Sequence, residues 1–122
     1  MSEEPMNEEI LKLKREALKK NELIVIKFTA DWCGPCKLIK EICKQFEKTK
    51  PSSIQYYEIN IDESIDLYMK LKKMKMVNGI PALLAYKGGT KEEHWYIPDW
   101  FHLGSDKKGL LLFFDNCVKC VS

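Results

Sequence analysis

The sequence predicts an α/β domain in which a central mixed β-sheet is flanked by helices on both faces, giving three layers. Three observations carry that reading. Short runs rich in β-branched and aromatic residues alternate with segments whose apolar residues recur at helical spacing. That alternation calls for a parallel part of the sheet, joined by helical crossovers. Near the end, Gly88-Gly89 turns one strand-like run back on the chain and adds an antiparallel part. The 122 residues suit one domain, expected over 7–122, and a 45% hydrophobic content is enough for one core.

Each element follows from local chemistry. Residues 1–6 are acidic and are expected to be disordered. Asn7 caps a helix over 7–20, with Glu8 and Glu9 in the first turn and Lys19-Lys20 in the last, as the helix dipole favours. Met6, Ile10, Leu13 and Ala17 form its apolar stripe. Leu23–Thr29 reads LIVIKFT, a strand covered on both faces with one charge, Lys27, inside it. A helix is expected over 34–48, with Leu38, Ile39, Ile42, Cys43 and Phe46 as its apolar positions. Pro51-Ser52-Ser53 marks a turn, and 54–61 is a second strand. Residues 63–73 carry Ile65, Leu67, Tyr68 and Leu71 at helical spacing. Asn78-Gly79 breaks the chain before a third strand over 81–86. Residues 93–97 are its expected antiparallel partner, 98–104 a loop, and 105–121 a last helix with Leu110, Phe114, Cys117 and Val121 on one face.

Composition excludes several classes of function. The net charge of +2 is close to balance, and Arg15 is the single arginine among twenty basic residues. Arginine supplies most bidentate contacts to bases and phosphates, so nucleic-acid readout is not expected. No stretch approaches the roughly 20 apolar residues of a membrane span. The acidic start lacks the apolar centre of a signal peptide, so a cytoplasmic protein without a membrane partner is expected. Five cysteines cannot all pair within one chain. In a reducing compartment, a Cys-x-x-Cys points to redox or metal chemistry rather than to a structural staple.

The chemistry concentrates in Trp32-Cys33-Gly34-Pro35-Cys36-Lys37, where a strand ends and a helix begins. A helix N-terminus offers unpaired N–H groups and the positive end of a dipole, so a thiolate there is stabilised. Cys33 comes first and is expected to be the more exposed, attacking sulfur. Cys36, one turn later and deeper, suits the resolving role. Gly34 admits a substrate closely, and Pro35 is tolerated in a first helical turn. The segment from Phe28 to Lys37 resembles the active site of the thioredoxin family, and the resemblance continues through Asn60-Ile61-Asp62 and Gly79-Ile80-Pro81.

That resemblance implies a thioredoxin fold and a protein-disulfide reductase. Cys33 attacks a target disulfide, and Cys36 releases the reduced target from the mixed disulfide. It implies a cis Ile80-Pro81 bond, with Trp32, Gly79, Ile80, Leu103 and Gly104 forming an apolar docking surface. It implies no bound cofactor beyond the redox-active Cys33–Cys36 disulfide, with electrons drawn from NADPH through a thioredoxin reductase. Protein disulfides are the expected substrates. The state expected is a monomer, with a redox-linked dimer through Cys120 left open. A binding module of the same fold, with redox activity secondary, is the alternative. A zinc-bound domain, using Cys117-x-x-Cys120 with the first pair, is a third reading disfavoured by the wide gap between the pairs.

Three departures from the family pattern stand out. The family's buried Asp and neighbouring Lys are replaced by Lys27 and Glu58, an apparent charge reversal. Either Glu58 neutralises Lys27 and handles the proton of Cys36, or Lys27 reaches water and the pair is structural. The family's kink proline is replaced by Glu41, so a straighter helix is expected. The stretch from Lys91 to Leu103 is longer and holds His94, Trp95, Tyr96, Trp100, Phe101 and His102, which either select partners or fold back as cover.

Overall fold

The structure, a computed structural model, describes residues 5–89 and 92–122. In chain order the elements are helix α1 (Glu8–Glu16), strand β1 (Leu23–Thr29), helices α2 (Gly34–Leu38) and α3 (Lys40–Thr49), strand β2 (Ile54–Asn60) and helix α4 (Ile65–Lys73). Strand β3 (Ala82–Lys87), a 3-10 turn (Glu92–His94), strand β4 (Trp100–Leu103) and helix α5 (Lys107–Val121) complete it. The sheet order is β2-β1-β3-β4. The β1–β2 pair is parallel, and β1–β3 and β3–β4 are antiparallel. The expected mixed sheet is therefore present.

The pleat sorts the strands onto two cores, as the two-residue period of a strand requires. On one face Ile24, Ile26, Phe28, Leu84 and Tyr86 pack with Leu11, Leu67 and Leu71. On the other, Leu23, Val25, Leu83 and Ala85 pack with Cys43, Phe46, Leu110, Phe114 and Cys117. Every residue from Leu23 to Phe28 is buried, which is why β1 reads as a continuous run rather than an alternating one. Lys27 lies in that run with 1% of its surface exposed.

Four expectations are corrected. The apolar stripe of α1 is not Ile10, Leu13 and Ala17: Leu13 is exposed, and Leu11 and Arg15 are the buried positions of the helix, with Leu18 buried just beyond its end. Leu11 and Arg15 share one face at the i, i+4 spacing, but one of the two is an arginine, so the pattern is hidden from a polarity count. The helix also ends at Glu16, not Lys20, although Asn7 caps it as expected, accepting from Ile10 N at 2.8 Å. Second, Met6 packs against the core rather than being disordered; residues 1–4 of that expectation lie outside the described residues.

Third, the helix over 34–48 is not straight. It breaks at Ile39 (φ −108°, ψ 4°), whose N–H is donated to the Cys36 carbonyl at 3.4 Å, and α3 starts afresh at Lys40. The i→i+3 bond tightens the end of α2 and turns Ile39 fully into the core while Leu38 stays exposed. No proline is needed for this kink. Fourth, the partner of β3 is Trp100–Leu103, not 93–97. Trp95 is buried on the α1 side of the sheet instead of entering the ladder, with Lys12 Nζ 5.1 Å from its ring centroid. Tyr96 and Trp100 also pack against core residues, so most aromatics of this stretch act as cover. Phe101 is an exposed aromatic on the sheet.

Arg15 explains why the 92–99 stretch lies where it does. Its guanidinium donates to the carbonyls of Trp95 (3.0 Å) and Ile97 (2.7 Å) and to Asp99 Oδ2 (3.2 Å), and stacks 4.7 Å from the Tyr86 ring centroid. Asp99 Oδ2 also accepts the Lys87 amide at 2.7 Å. A planar fork of donors suits such a spread of acceptors, and a lysine ammonium does not. Arg15→Met is expected to lower stability by about 3 kcal/mol, because buried carbonyls lose their donors. Arg15→Lys is expected to recover less than half of that. Urea denaturation checks both, and a loss below about 1 kcal/mol in the Met variant would contradict the assignment.

Gly88 marks a second close approach. A Cβ there would strike the Lys19 carbonyl and lie 2.9 Å from the Leu18 oxygen, while the Gly88 amide donates to Glu22 O at 3.3 Å. Backbone must move to admit the methyl group, so Gly88→Ala is expected to cost about 1–3 kcal/mol, read from the same denaturation curves.

Candidate active site

Cys33 and Cys36 are joined by a disulfide, with their Cα atoms 5.3 Å apart. Their placement follows from β1 ending at Thr29 and α2 starting at Gly34. Cys33 is the N-cap residue of α2, in extended conformation (φ −86°, ψ 109°). Its sulfur takes the place of the usual capping oxygen and accepts the Cys36 N–H at 3.2 Å. Pro35 lies in the first turn, where a missing N–H leaves no helical bond unmade. Gly34 is exposed, and nothing lies within 4 Å of where its Cβ would be. The expected difference in exposure between the two cysteines is not found: they are 4% and 3% exposed, because the disulfide ties both into the core.

The segment opposite the dithiol is held by two devices. The Ile80-Pro81 peptide bond is cis, and Gly79 before it sits at φ +108°, in the region that favours glycine. Tyr68 on α4 accepts the Gly79 amide at 3.0 Å through its hydroxyl. The Ile80 carbonyl oxygen lies 3.9 Å from Cys33 Sγ. Pro81 O accepts the Gly104 amide at 2.9 Å, and Leu103 pairs with Ala82, so the end of β4 borders the same place. Trp32 is 66% exposed and is anchored by its indole N–H, which donates to Asp62 Oδ2 at 3.0 Å. Asp62 is steadied in turn by its own amide, which donates to Asn60 Oδ1 at 2.9 Å.

The sequence-derived residues thus separate into two groups. Cys33, Gly34, Pro35 and Cys36 gather with Ile80, Pro81 and Gly104 around the disulfide, with Leu103 half-exposed and Gly79 exposed beside them. Lys27 and Glu58 are register partners on β1 and β2 and line, with Cys36, a small cavity of about 150 Å³ behind it. Of the two readings of this pair, the neutralisation of Lys27 by Glu58 is not made. The ion pairs among the described residues do not include it, and Glu58 is exposed while Lys27 is buried. Two supporting residues were missed. Asp62 stood in a matching segment without a role, and Tyr68 passed as one more apolar position on a helix. A hydroxyl on the buried face of a helix is the signal that could have found the second.

The remaining cysteines are spread through the second core. Cys43 is buried, and burial pushes its thiol up against the opposing pull of the Lys27 charge. Cys117 is buried, with its thiol pushed up to about 12, again by burial. Cys120 is half-buried. Among the described residues, no group of three or more His, Cys, Asp or Glu side chains is placed to hold a metal ion. No helix among them is long and apolar enough to cross a membrane.

Comparison with known proteins agrees with this geometry. Residues 7–97 match the Thioredoxin family model. Thioredoxin-1 of Saccharomyces cerevisiae is 34% identical over 75 residues, which cover 62% of this chain and 68% of that protein. The thioredoxin of Pseudomonas aeruginosa is 30% identical over 92 residues, covering 75% of this chain and 82% of the other. Among solved structures, Plasmodium falciparum thioredoxin superposes with a TM-score of 0.66 at 21% identity, over 90% of this chain and 93% of that one. Malassezia sympodialis thioredoxin does so with a TM-score of 0.68 at 19% identity, over 97% of each chain. Those two likenesses show the fold; the family match and the bonded Cys33–Cys36 pair show the chemistry. The chain belongs to the thioredoxin family and is a thiol–disulfide oxidoreductase.

Proposed function

We propose that the protein is a cytoplasmic, monomeric reductant of protein disulfides, recharged by NADPH through a thioredoxin reductase. The observation that carries this reading is the Cys36 N–H donated to Cys33 Sγ, which offers a sulfur anion a hydrogen bond at the positive end of α2. In the reduced chain the Cys33 thiolate attacks one sulfur of a target disulfide. The target S–S bond breaks, a mixed disulfide forms, and the displaced target sulfur takes a proton from water. Cys36 then attacks Cys33 Sγ as a thiolate, closing the Cys33–Cys36 bond and releasing the second target sulfur. Two electrons pass from the dithiol to the target.

Trp32, Gly79, Ile80, Leu103 and Gly104 form the surface on which the target lies, with the bend at Pro81 presenting the Ile80 backbone. An extended target segment can pair with that backbone in the manner of an added strand. That the relatives compared above are thioredoxins supports this reading.

Insulin reduction with dithiothreitol as electron donor tests the proposal. The wild-type chain is expected to accelerate precipitation of the insulin B chain. Cys33→Ser is expected to lose at least about 100-fold of the rate, because its weakly nucleophilic hydroxyl cannot replace a thiolate. Cys36→Ser is expected to accumulate the mixed disulfide with its target, visible on a non-reducing gel. Negligible turnover by the wild type, with partner binding unaltered in Cys33→Ser, would favour a binding module instead.

A further inference from the structure

The wall of the cavity behind Cys36 carries a charge the exchange scheme has not used. Lys27 lies at the centre of β1, is 1% exposed, and opens onto this cavity of about 150 Å³ together with Cys36. A buried ammonium without a counter-charge is costly. Its surroundings narrow the source of that counter-charge. Cys43 of α3, on the same sheet face, is within hydrogen-bonding reach of Lys27 but is held as a neutral thiol, because burial raises its pKa by more than the Lys27 charge lowers it. Tyr56 of β2 is held as a neutral phenol for the same reason. Glu58 of β2 and Asp31 of the β1–α2 loop line the cavity but are exposed, as are the cations Lys37 of α2 and Lys40 of α3. The one acid on the wall that is itself buried is Cys36, at 3%.

We propose that the Lys27 ammonium holds Cys36 as a thiolate once Cys33 is engaged in the mixed disulfide, so that the resolving step proceeds without a general base. The proposal deepens the reductase reading and rests on it for its consequence, release of the target. Once Cys33 is bonded to the target sulfur and carries no charge, the Cys36 thiol ionises, and its proton leaves to water through the cavity mouth beside Glu58. The thiolate then stands opposite Lys27 until it attacks the mixed disulfide. Lys27 is therefore a positioning residue that sets the charge of a reacting sulfur; it forms no bond itself. The exposed Glu58, which one of the two sequence readings made the acceptor of that proton, has no such role.

The direct test is titration of Cys36 in the full chain carrying Cys33→Ser, followed by the cysteine 13Cβ shift in NMR spectra. With Lys27 present, Cys36 is expected to titrate below the free-thiol value of about 8.5, and Lys27→Met is expected to raise it by about one pH unit or more. Lys27→Arg, which keeps the charge, is expected to stay within about 0.3 unit of the parent, and Glu58→Gln is expected not to raise it. In the chain with both active-site cysteines, Lys27→Met is expected to shift the exchange equilibrium with glutathione about tenfold toward the disulfide, roughly 30 mV for this two-electron couple. Lys27→Gln serves if the Met variant does not fold. An unmoved Cys36 titration in the neutral variants, or an upward shift in Glu58→Gln, would overturn the proposal. Insulin reduction by the wild type, measured alongside, reports on the reductase reading separately, because the titration does not depend on turnover.

Discussion

One backbone amide organises the site. The Cys36 N–H points at Cys33 Sγ because β1 ends at Thr29 and the chain enters α2 with Cys33 as its cap. A helix must satisfy its first N–H groups from outside its own ladder, and here a sulfur does what a hydroxyl or carboxylate does elsewhere. The same four-residue turn brings the second sulfur into bonding reach and keeps both side chains at the sheet. The parts around it serve that arrangement: Tyr68 fixes the Gly79 amide, Asp62 fixes Trp32, and the end of β4 ties Gly104 to Pro81. Without the cap, these would frame an ordinary surface disulfide.

Two cations among the described residues are buried, and they are managed differently. Arg15 sits among carbonyl oxygens and beside Asp99, so its charge is absorbed by fixed dipoles and a carboxylate, and it locks the 92–99 stretch to α1. Lys27 sits at a cavity wall beside the dithiol, with neutral acids on one side and a sulfur whose charge depends on redox state on the other. The planar guanidinium fits the first task, where several acceptors must be met at once. The compact ammonium fits the second, where a point charge acts across a small space.

Much of the architecture and most of the site were legible in the sequence, and the failures share a physical cause. Strand β1 was legible because both its faces are covered, which leaves an unbroken apolar run. The dithiol and the Ile80-Pro81 bend were legible because each needs particular residues at fixed spacing. The face of α1 was misread because Arg15 is buried by partners from the far end of the chain, which no local pattern contains. The partner of β3 was misplaced for a related reason: Trp95 and Tyr96 look like strand residues, but long-range packing against α1 takes them out of the ladder. The break at Ile39 carries no proline to announce it; it reflects a β-branched residue turned into the core. The Lys27–Glu58 reversal was visible, yet its outcome depends on which member is buried, and register alone does not say.

The claim on which the account stands is that the amide end of α2 acidifies Cys33. Iodoacetamide alkylation of Cys33 in the freshly reduced wild-type chain, followed by peptide mass spectrometry across pH 4 to pH 10, measures it site by site. Half-maximal reactivity is expected at least about one pH unit below the free-thiol value of roughly 8.5. A midpoint at or above that value would contradict it.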